Sequence, residues 1–129
     1  MSNLVVISTV TDSVVGKKIA HDLQSEFSSI EINTFSNDEL NVYVNELLTG
    51  KTVILFFQDF FPLHEKIIQL GLILNAIKNR LPAHLILILP YFPYSRQDRF
   101  SPGNAIGAEM MVNFINISSL EALFVLDLH

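Results

Sequence analysis

The densest group of charged side chains follows an apolar run, in the segment LPYFPYSRQDR at positions 89–99, which we call the arginine segment. The chain has only eight lysine and arginine residues, and two of them, Arg96 and Arg99, lie here beside Gln97 and Asp98. A guanidinium group donates paired hydrogen bonds to phosphate oxygens and stacks on bases. The segment indicates a polyanion site, although a solvated loop in which Asp98 pairs with one arginine would give the same pattern.

A second polar group, FSNDE at positions 35–39, follows a predicted strand. Phe35 could offer a stacking face, while Asn37, Asp38 and Glu39 could bond to a ribose or a base. The same residues also fit an ordinary turn, because Ser, Asn and Asp are common turn formers. We call residues 35–39 the acidic loop.

The third group is VLDLH at positions 125–129, an apolar strand that ends in two potential ligands. Alternation along a strand places Asp127 and His129 on one face, at the end where a metal–phosphate group would sit. A neutral imidazole is a common metal ligand, and Asp127 could orient it or add a carboxylate. A frayed terminal histidine beside an exposed aspartate is the alternative. The remaining histidines, His21, His64 and His84, are assigned to surface or boundary positions.

Short apolar segments predict the strands that position these groups, at 5–8, 31–35, 52–58, 85–89 and 123–128. The near-continuous runs VILFF at 53–57 and LILIL at 85–89 predict strands buried on both faces, at the centre of a parallel sheet. The alternating residues 41–45 predict an edge strand or one arm of a hairpin.

Apolar residues at helical spacing predict helices at 14–27, 63–80 and 104–117. Asp12 and Ser13 suit the N-cap of the first helix. Strands that alternate with helices predict an α/β fold, a three-layer sandwich with a mostly parallel central sheet. Ligands of such sheets bind beyond the carboxyl ends of the strands, where the three polar groups lie.

The composition of the chain argues against several classes of ligand and site. At 129 residues the chain fits one domain, and its net charge of −5 argues against nucleic-acid binding. The absence of cysteine excludes disulfides and thiolate metal sites. No apolar run reaches the roughly 18 residues of a membrane span, and the N-terminal residues do not read as a secretory signal, so we expect no membrane association and a cytoplasmic protein.

Together the three groups resemble motifs of one enzyme family. PYFPYSRQDR at 90–99 resembles the signature Pro-Tyr-x-x-Tyr-x-Arg-Gln-Asp-Arg of the ribose-phosphate diphosphokinases, also called phosphoribosyl pyrophosphate synthetases. FSNDELNVYVNE at 35–46 resembles the Phe-Ser-Asp-Gly-Glu segment of this family, and VLDLH resembles its Asp-Leu-His strand end. The resemblance covers essentially the whole chain, favours the binding interpretations, and implies a phosphoribosyltransferase-like, Rossmann-like fold.

The resemblance implies a reaction in which Mg²⁺-ATP donates its β,γ-diphosphoryl group to the 1-hydroxyl of ribose 5-phosphate, making phosphoribosyl pyrophosphate for nucleotide biosynthesis. It implies that Arg96 and Gln97 hold ATP and that Phe35 packs near adenine. It also implies that Asn37, Asp38 and Glu39 bind ATP from a neighbouring subunit of a homo-oligomer, and that His129 ligates Mg²⁺.

This sequence departs from the family pattern in ways that bear on function. Asp38 stands where the family usually has glycine, so the acidic loop either takes a different path or holds an aspartate in the left-handed conformation. The catalytic loop and the ribose 5-phosphate site of the family lie beyond the matching region. Residues 1–129 are therefore predicted to be a single N-terminal nucleotide-binding domain that lacks the C-terminal ribose 5-phosphate domain.

Such a domain would bind ATP, would carry no catalytic residue, and would be inactive alone. Ribose 5-phosphate would become a substrate only when the missing half is supplied. A degenerate family member that acts as a non-catalytic interaction or regulatory subunit is the main alternative. A third possibility is an α/β module for another nucleotide or phosphate compound.

Overall fold

A computed structural model describes residues 3–127, which form six strands and three helices. In chain order these are β1 (Leu4–Thr9), α1 (Ser13–Asp22), β2 (Glu26–Thr34), β3 (Leu40–Tyr43), β4 (Thr52–Phe56), α2 (Leu63–Lys78), β5 (His84–Tyr91), α3 (Gly107–Asn116) and β6 (Ala122–Asp127). They build one sheet in the order β3-β2-β1-β4-β5-β6. All neighbouring strands are parallel except β2 and β3, which form the hairpin that residues 41–45 predicted.

The helices lie on both faces of the sheet, which confirms the predicted three-layer sandwich. Helix α1 packs against β1 and β2 on one face, where Val6, Ala20 and Ile54 form a small core. On the other face, buried residues of β1, β4 and β5 pack against α2 and α3 in a larger core, which includes Leu55 and Ile73. Burial of each such aliphatic side chain is worth about 1.5–3 kcal/mol, so these two cores hold the layers together.

The position of β5 differs from the prediction of two central strands. Strand β4 is central and its residues 53–56 are all buried, as expected. Strand β5 lies one strand from the edge, and Ile86 and Ile88 on the α1 side are only partly buried. These two side chains are only partly buried because α1 packs on β1 and β2 and leaves that side of β5 uncovered. On β6, Phe124 and Leu126 are 58% and 83% exposed.

The first helix ends earlier than predicted. Helix α1 stops at Asp22, and Gln24 turns the chain with φ of 54°, so that β2 begins at Glu26. The residues at 25–27 therefore belong to the strand side of this turn, and β2 is longer than the predicted 31–35 segment. Phe27 misled the prediction because it continues the helical stripe of α1, whereas it packs against the smaller core from β2.

The start of the last helix also differs. Helix α3 begins at Gly107 and not at Asn104, because Asn104 forms a turn in which its backbone N–H donates to the carbonyl of Ser101. The other predicted elements agree with the structure to within about three residues at each end, as assignments of helix and strand ends commonly do. Within residues 3–127, no helix combines the length and apolar character that a membrane span requires.

Candidate functional site

The arginine segment leaves β5 and reaches α3 across the carboxyl edge of the sheet. Phe92 and Ser95 are 3% and 8% exposed and anchor the segment in the protein interior. From Arg96 onward the side chains are exposed to solvent. Buried anchors next to exposed charges present the arginines at the edge where ligands of parallel sheets bind.

Close backbone packing fixes the segment to the start of α3. The backbone N–H of Gln97 donates to the carbonyl of Tyr94 at 3.0 Å, and the N–H of Ala108 donates to the carbonyl of Gln97 at 3.0 Å. Gly107 permits this approach, because a Cβ there would lie 2.7 Å from both Gln97 Oε1 and Tyr94 Cδ1. Tyr94 itself has φ of 64°, in the left-handed region.

The exposed end of the segment forms a cavity of about 580 Å³, which we call the arginine cavity. It is lined by Arg96, Gln97, Asp98, Arg99, Ser101, Asn104 and Ala105. Of the ion pairs among residues 3–127, none involves either arginine or Asp98. The alternative of an internally paired loop is therefore not seen in this part of the chain, and both guanidinium groups face solvent together with amide and hydroxyl donors.

A second cavity of about 360 Å³ lies beside the first residues of α2 and is lined by Leu63, His64, Tyr91, Tyr94, Ser95, Arg96 and Gln97. Within it, His64 Nε2 lies 2.6 Å from the hydroxyl of Tyr94. The sequence gave no sign of this pair, because the two residues are 30 positions apart. His64 is exposed, in agreement with its assignment to a surface or boundary position.

The acidic loop is the turn of the β2–β3 hairpin. The backbone N–H of Phe35 donates to the carbonyl of Glu39 at 2.8 Å, and the Asn37 amide donates to the Glu39 carboxylate. Asp38 has φ of 69°, so the loop holds an aspartate in the left-handed conformation, which was one of the two expected outcomes. The ring of Phe35 is 55% exposed and available for stacking.

The structure does not bring the acidic loop into the arginine cavity of the same chain. Asp38 and Glu39 line a separate cavity of about 360 Å³ with Leu40, Glu65, Ile68 and Leu72. Among the described residues, this cavity and the arginine cavity have no lining residue in common. One chain therefore unites Arg96 and Gln97 but keeps them apart from residues 35–39.

The third predicted group is described only in part. Asp127 lies at the end of β6, is exposed, and pairs in register with Tyr91 of β5, where the arginine segment begins. His129, the predicted Mg²⁺ ligand, lies outside the described residues. Across residues 3–127, no three His, Asp or Glu side chains are arranged to hold a metal ion.

Asp12 is a buried carboxyl group at the carboxyl end of β1. It occupies the predicted N-cap position of α1, but its side chain makes no cap hydrogen bond. Instead, Asp12 Oδ2 accepts hydrogen bonds from Thr9 Oγ1 at 2.9 Å and from the backbone N–H of Gln58 at 3.3 Å, while Oδ1 is buried without a partner in the described chain. Burial raises the pKa of this carboxyl above its ordinary value, and the two hydrogen bonds oppose that rise only in part.

Comparison with known proteins gives concordant matches. Residues 4–118 match the family described as the N-terminal domain of ribose phosphate pyrophosphokinase. The ribose-phosphate pyrophosphokinase of Thermotoga maritima is 28% identical over 116 residues, which are 89% of this chain and 37% of that protein. The enzyme of the same name from Aquifex aeolicus is 28% identical over 130 positions, covering 100% of this chain and 42% of that protein.

A solved structure shows the same fold. The crystal structure of phosphoribosylpyrophosphate synthetase from Mycobacterium smegmatis superimposes with a TM-score of 0.87 at 22% identity. The match covers 99% of this chain and 43% of that one. The chain thus spans less than half the length of the relatives that it matches.

Proposed function

Because the chain belongs to the ribose phosphate pyrophosphokinase family, whose N-terminal domain it matches, we propose that it is the ATP-binding half of a ribose-phosphate diphosphokinase. Its relatives carry the name of a kinase that transfers a diphosphoryl group, which places the family among the transferases of nucleotide biosynthesis. The complete reaction would move the β,γ-diphosphoryl group of ATP to the 1-hydroxyl of ribose 5-phosphate. This chain would supply the nucleotide site.

The arginine cavity carries the proposal. Arg96 and Arg99 are the cations of a cavity that also contains the amide of Gln97, and neither arginine is paired with an acid within residues 3–127. Charge-assisted hydrogen bonds from guanidinium to phosphate are about twice as strong as neutral ones. We assign Arg96 and Gln97 to the ATP phosphates on this basis.

The carboxylates near the arginine cavity suit the coordination of an Mg²⁺ ion that is bound to the nucleotide. Mg²⁺ is usually held by one or two carboxylates together with substrate phosphates and water, and does not need an all-protein cage. Asp98 in the arginine cavity and Asp127 at the end of β6 are carboxylates at this edge of the sheet. His129 would add the imidazole that the resemblance implies. The bound ion would neutralise part of the phosphate charge.

The acidic loop would complete the site from a second copy of the chain. Within one chain, the acidic loop lies at the β2–β3 turn, and its residues Asp38 and Glu39 line a cavity separate from the arginine cavity. This separation supports a site that brings both groups together across two copies of the chain. In such a site Phe35 would pack against adenine, while Asn37, Asp38 and Glu39 would bond to the nucleotide, and the protein would be a homo-oligomer.

Chemistry on the acceptor would need groups beyond this domain. We assign no catalytic role to any residue of this chain, and we propose that it produces no phosphoribosyl pyrophosphate unless a polypeptide that carries the ribose 5-phosphate site is supplied. A cytoplasmic location fits a metabolic role of this kind, and the net charge of −5 does not suit nucleic acid as a partner.

One feature favours the alternative of an interaction or regulatory subunit. Strand β6 forms an edge of the sheet, and its apolar side chains are exposed on both faces, including Leu123, Phe124 and Leu126. Edge strands without charges or proline before their last residue are suited to pairing with another polypeptide. Beside it, an apolar cavity of about 330 Å³ is lined partly by Val112 and Leu123. A protein partner could dock here whether or not ATP binds.

Calorimetric titration of Mg²⁺-ATP into the purified protein tests the proposal. Arg96→Ala should weaken binding about 10- to 100-fold, because hydrogen bonds to charged groups contribute roughly 1.5–3 kcal/mol. Lys18→Ala removes the same charge from the exposed face of α1 and should bind like the wild type. Absence of binding by the wild type at millimolar ATP would rule out the nucleotide-binding half.

A complementation assay separates the two candidate functions. The protein would be mixed with the C-terminal half of a related enzyme, Mg²⁺-ATP and ribose 5-phosphate. Product formation that requires both polypeptides supports the half-enzyme. If no product forms but the protein alters the rate of an intact related enzyme, the regulatory alternative is favoured.

A further inference from the structure

A hydrogen bond between His64 and Tyr94 connects α2 to the arginine segment. His64 lies in the first turn of α2, and its Nε2 is 2.6 Å from the Tyr94 hydroxyl. The two rings have centroids 6.1 Å apart and planes tilted by 30°, so they lie side by side in a tilted arrangement. This contact links two elements that are distant in sequence.

Tyr94 needs such support because its backbone is in an unfavourable conformation. Its φ of 64° lies in the left-handed region, which is disfavoured for a residue with a Cβ and is an outlier for a bulky one. The near end of the side chain packs on Gly107, where an added Cβ would lie 3.0 Å from Tyr94 Cβ. The far end is bonded to His64. Contacts at both ends of the side chain therefore hold the backbone in place.

The conformation of Tyr94 determines where the nucleotide contacts lie. The carbonyl of Tyr94 accepts the backbone N–H of Gln97, and the carbonyl of Gln97 accepts the N–H of Ala108. Arg96 lies between these fixed points, and it lines the same cavity as His64 as well as the arginine cavity. A shift of Tyr94 would thus be passed directly to Arg96 and Gln97.

We propose that His64 is a positioning residue for the nucleotide site: through the Tyr94 hydroxyl, it holds the arginine segment in the conformation that presents Arg96 and Gln97. The proposal rests on the proposed function for the identity of the ligand. The claim that His64 fixes the conformation of the arginine segment rests on the geometry alone.

A double-mutant cycle tests whether His64 acts through Tyr94. His64→Ala and Tyr94→Phe each remove the same hydrogen bond, and each should weaken Mg²⁺-ATP binding about five-fold, as expected for one hydrogen bond. The double variant should bind no more weakly than either single variant, because partners in one interaction are not additive. Additive losses would overturn the proposal, because they would show that His64 and Tyr94 act independently.

One conservative variant and two variants at remote residues serve as controls for this cycle. His64→Gln keeps a hydrogen-bonding group at similar reach and should recover most of the affinity that His64→Ala loses. His21→Ala and Tyr43→Phe change exposed residues of α1 and β3 and should bind like the wild type. Failure of His64→Gln to recover any affinity would contradict a role for the hydrogen bond.

Amide hydrogen exchange without nucleotide distinguishes failure of this proposal from failure of the proposed function. In His64→Ala and in Tyr94→Phe, the amides of Gln97 and Ala108 should exchange about five-fold faster, while those of β4 should not change. Unchanged exchange at Gln97 and Ala108 would overturn the positioning role even if ATP binds. Faster exchange in a protein that does not bind Mg²⁺-ATP would support the positioning role of His64 but refute the proposed nucleotide-binding function.

Discussion

Replacement of Gly107 by alanine provides a sensitive test of the packing that shapes the site. A Cβ at this position would lie 2.7 Å from Gln97 Oε1, 2.7 Å from Tyr94 Cδ1 and 3.0 Å from Tyr94 Cβ. Optimal contacts between non-bonded carbon atoms are about 3.5–4.0 Å, so Tyr94 has to retreat by about 0.8 Å. Gln97 Oε1 can rotate away, but Tyr94 Cβ moves only with its backbone.

The expected loss of stability follows from two opposing effects. Overpacking of this kind costs about 1–3 kcal/mol, whereas the change from glycine to alanine in a helix gains up to about 1 kcal/mol. The gain is smaller here because Gly107 is the first residue of α3. We expect a net loss of about 1–2 kcal/mol, which lowers the melting temperature by about 3–10 °C in a domain of this size.

Thermal unfolding and amide exchange would measure the two consequences separately. Gly50→Ala is the matched control, since its Cβ would meet no atom within 4 Å, although its φ of 78° makes alanine strained there as well. Both variants should lose stability, but only Gly107→Ala should accelerate exchange of the Gln97 amide and weaken nucleotide binding. A Gly107→Ala protein as stable as the wild type, with unchanged exchange at Gln97, would refute the packing argument.

Three further variants test the electrostatics, the ligand contacts and the core. The raised pKa of Asp12 means that the folded protein holds this proton more tightly than the unfolded chain, so its contribution to the free energy of unfolding is lost as pH rises from the ordinary carboxyl range through the raised pKa. Asp12→Asn should therefore gain stability relative to the wild type in urea unfolding as the pH rises from the ordinary carboxyl range, about 4, through the raised pKa; a difference independent of pH would contradict this. Arg96→Lys should weaken Mg²⁺-ATP binding by about 1 kcal/mol in calorimetry, because an ammonium group cannot donate the planar bidentate pair, and equal affinity would argue against that contact. Ile73→Ala, in the fully buried core, should cost about 2–5 kcal/mol in chemical denaturation, whereas Leu126→Lys at an 83% exposed position should stay within about 0.5 kcal/mol; similar losses would mean that the core is wrongly assigned.

The fold was largely predictable because its buried elements have long and regular apolar patterns. Strand β4 was located from its near-continuous apolar run, and helix α2 from the helical spacing of its apolar residues, most of which are buried. The boundary at Asp22 was missed because Phe27 fits the apolar face of a helix as well as a partly buried strand position. The left-handed conformation of Gln24 ends the helix before Phe27, and the residue types around Gln24 do not predict that conformation.

The candidate site was only partly predictable. The arginine segment was singled out because two of the eight basic residues of the chain lie there. The family resemblance assigned Arg96 and Gln97 to ATP, and this role remains a prediction. The His64–Tyr94 bond was missed because the distance between two residues 30 positions apart is set by how the tertiary fold places the first turn of α2 next to the arginine segment. The role of Gly107 was hidden for the same reason, since its lack of a Cβ matters only where Tyr94 packs against it.

A titration of the ¹⁵N-labelled protein with Mg²⁺-ATP, followed by amide chemical shifts, tests the central claim most directly. The account predicts that the amides of Arg96, Gln97 and Asn104 shift on binding, that those of residues 35–39 shift as well when the protein is associated, and that those of α1 do not. Saturable binding that shifts only other regions, or no shift at millimolar Mg²⁺-ATP, would contradict the assignment of the arginine cavity as a nucleotide site.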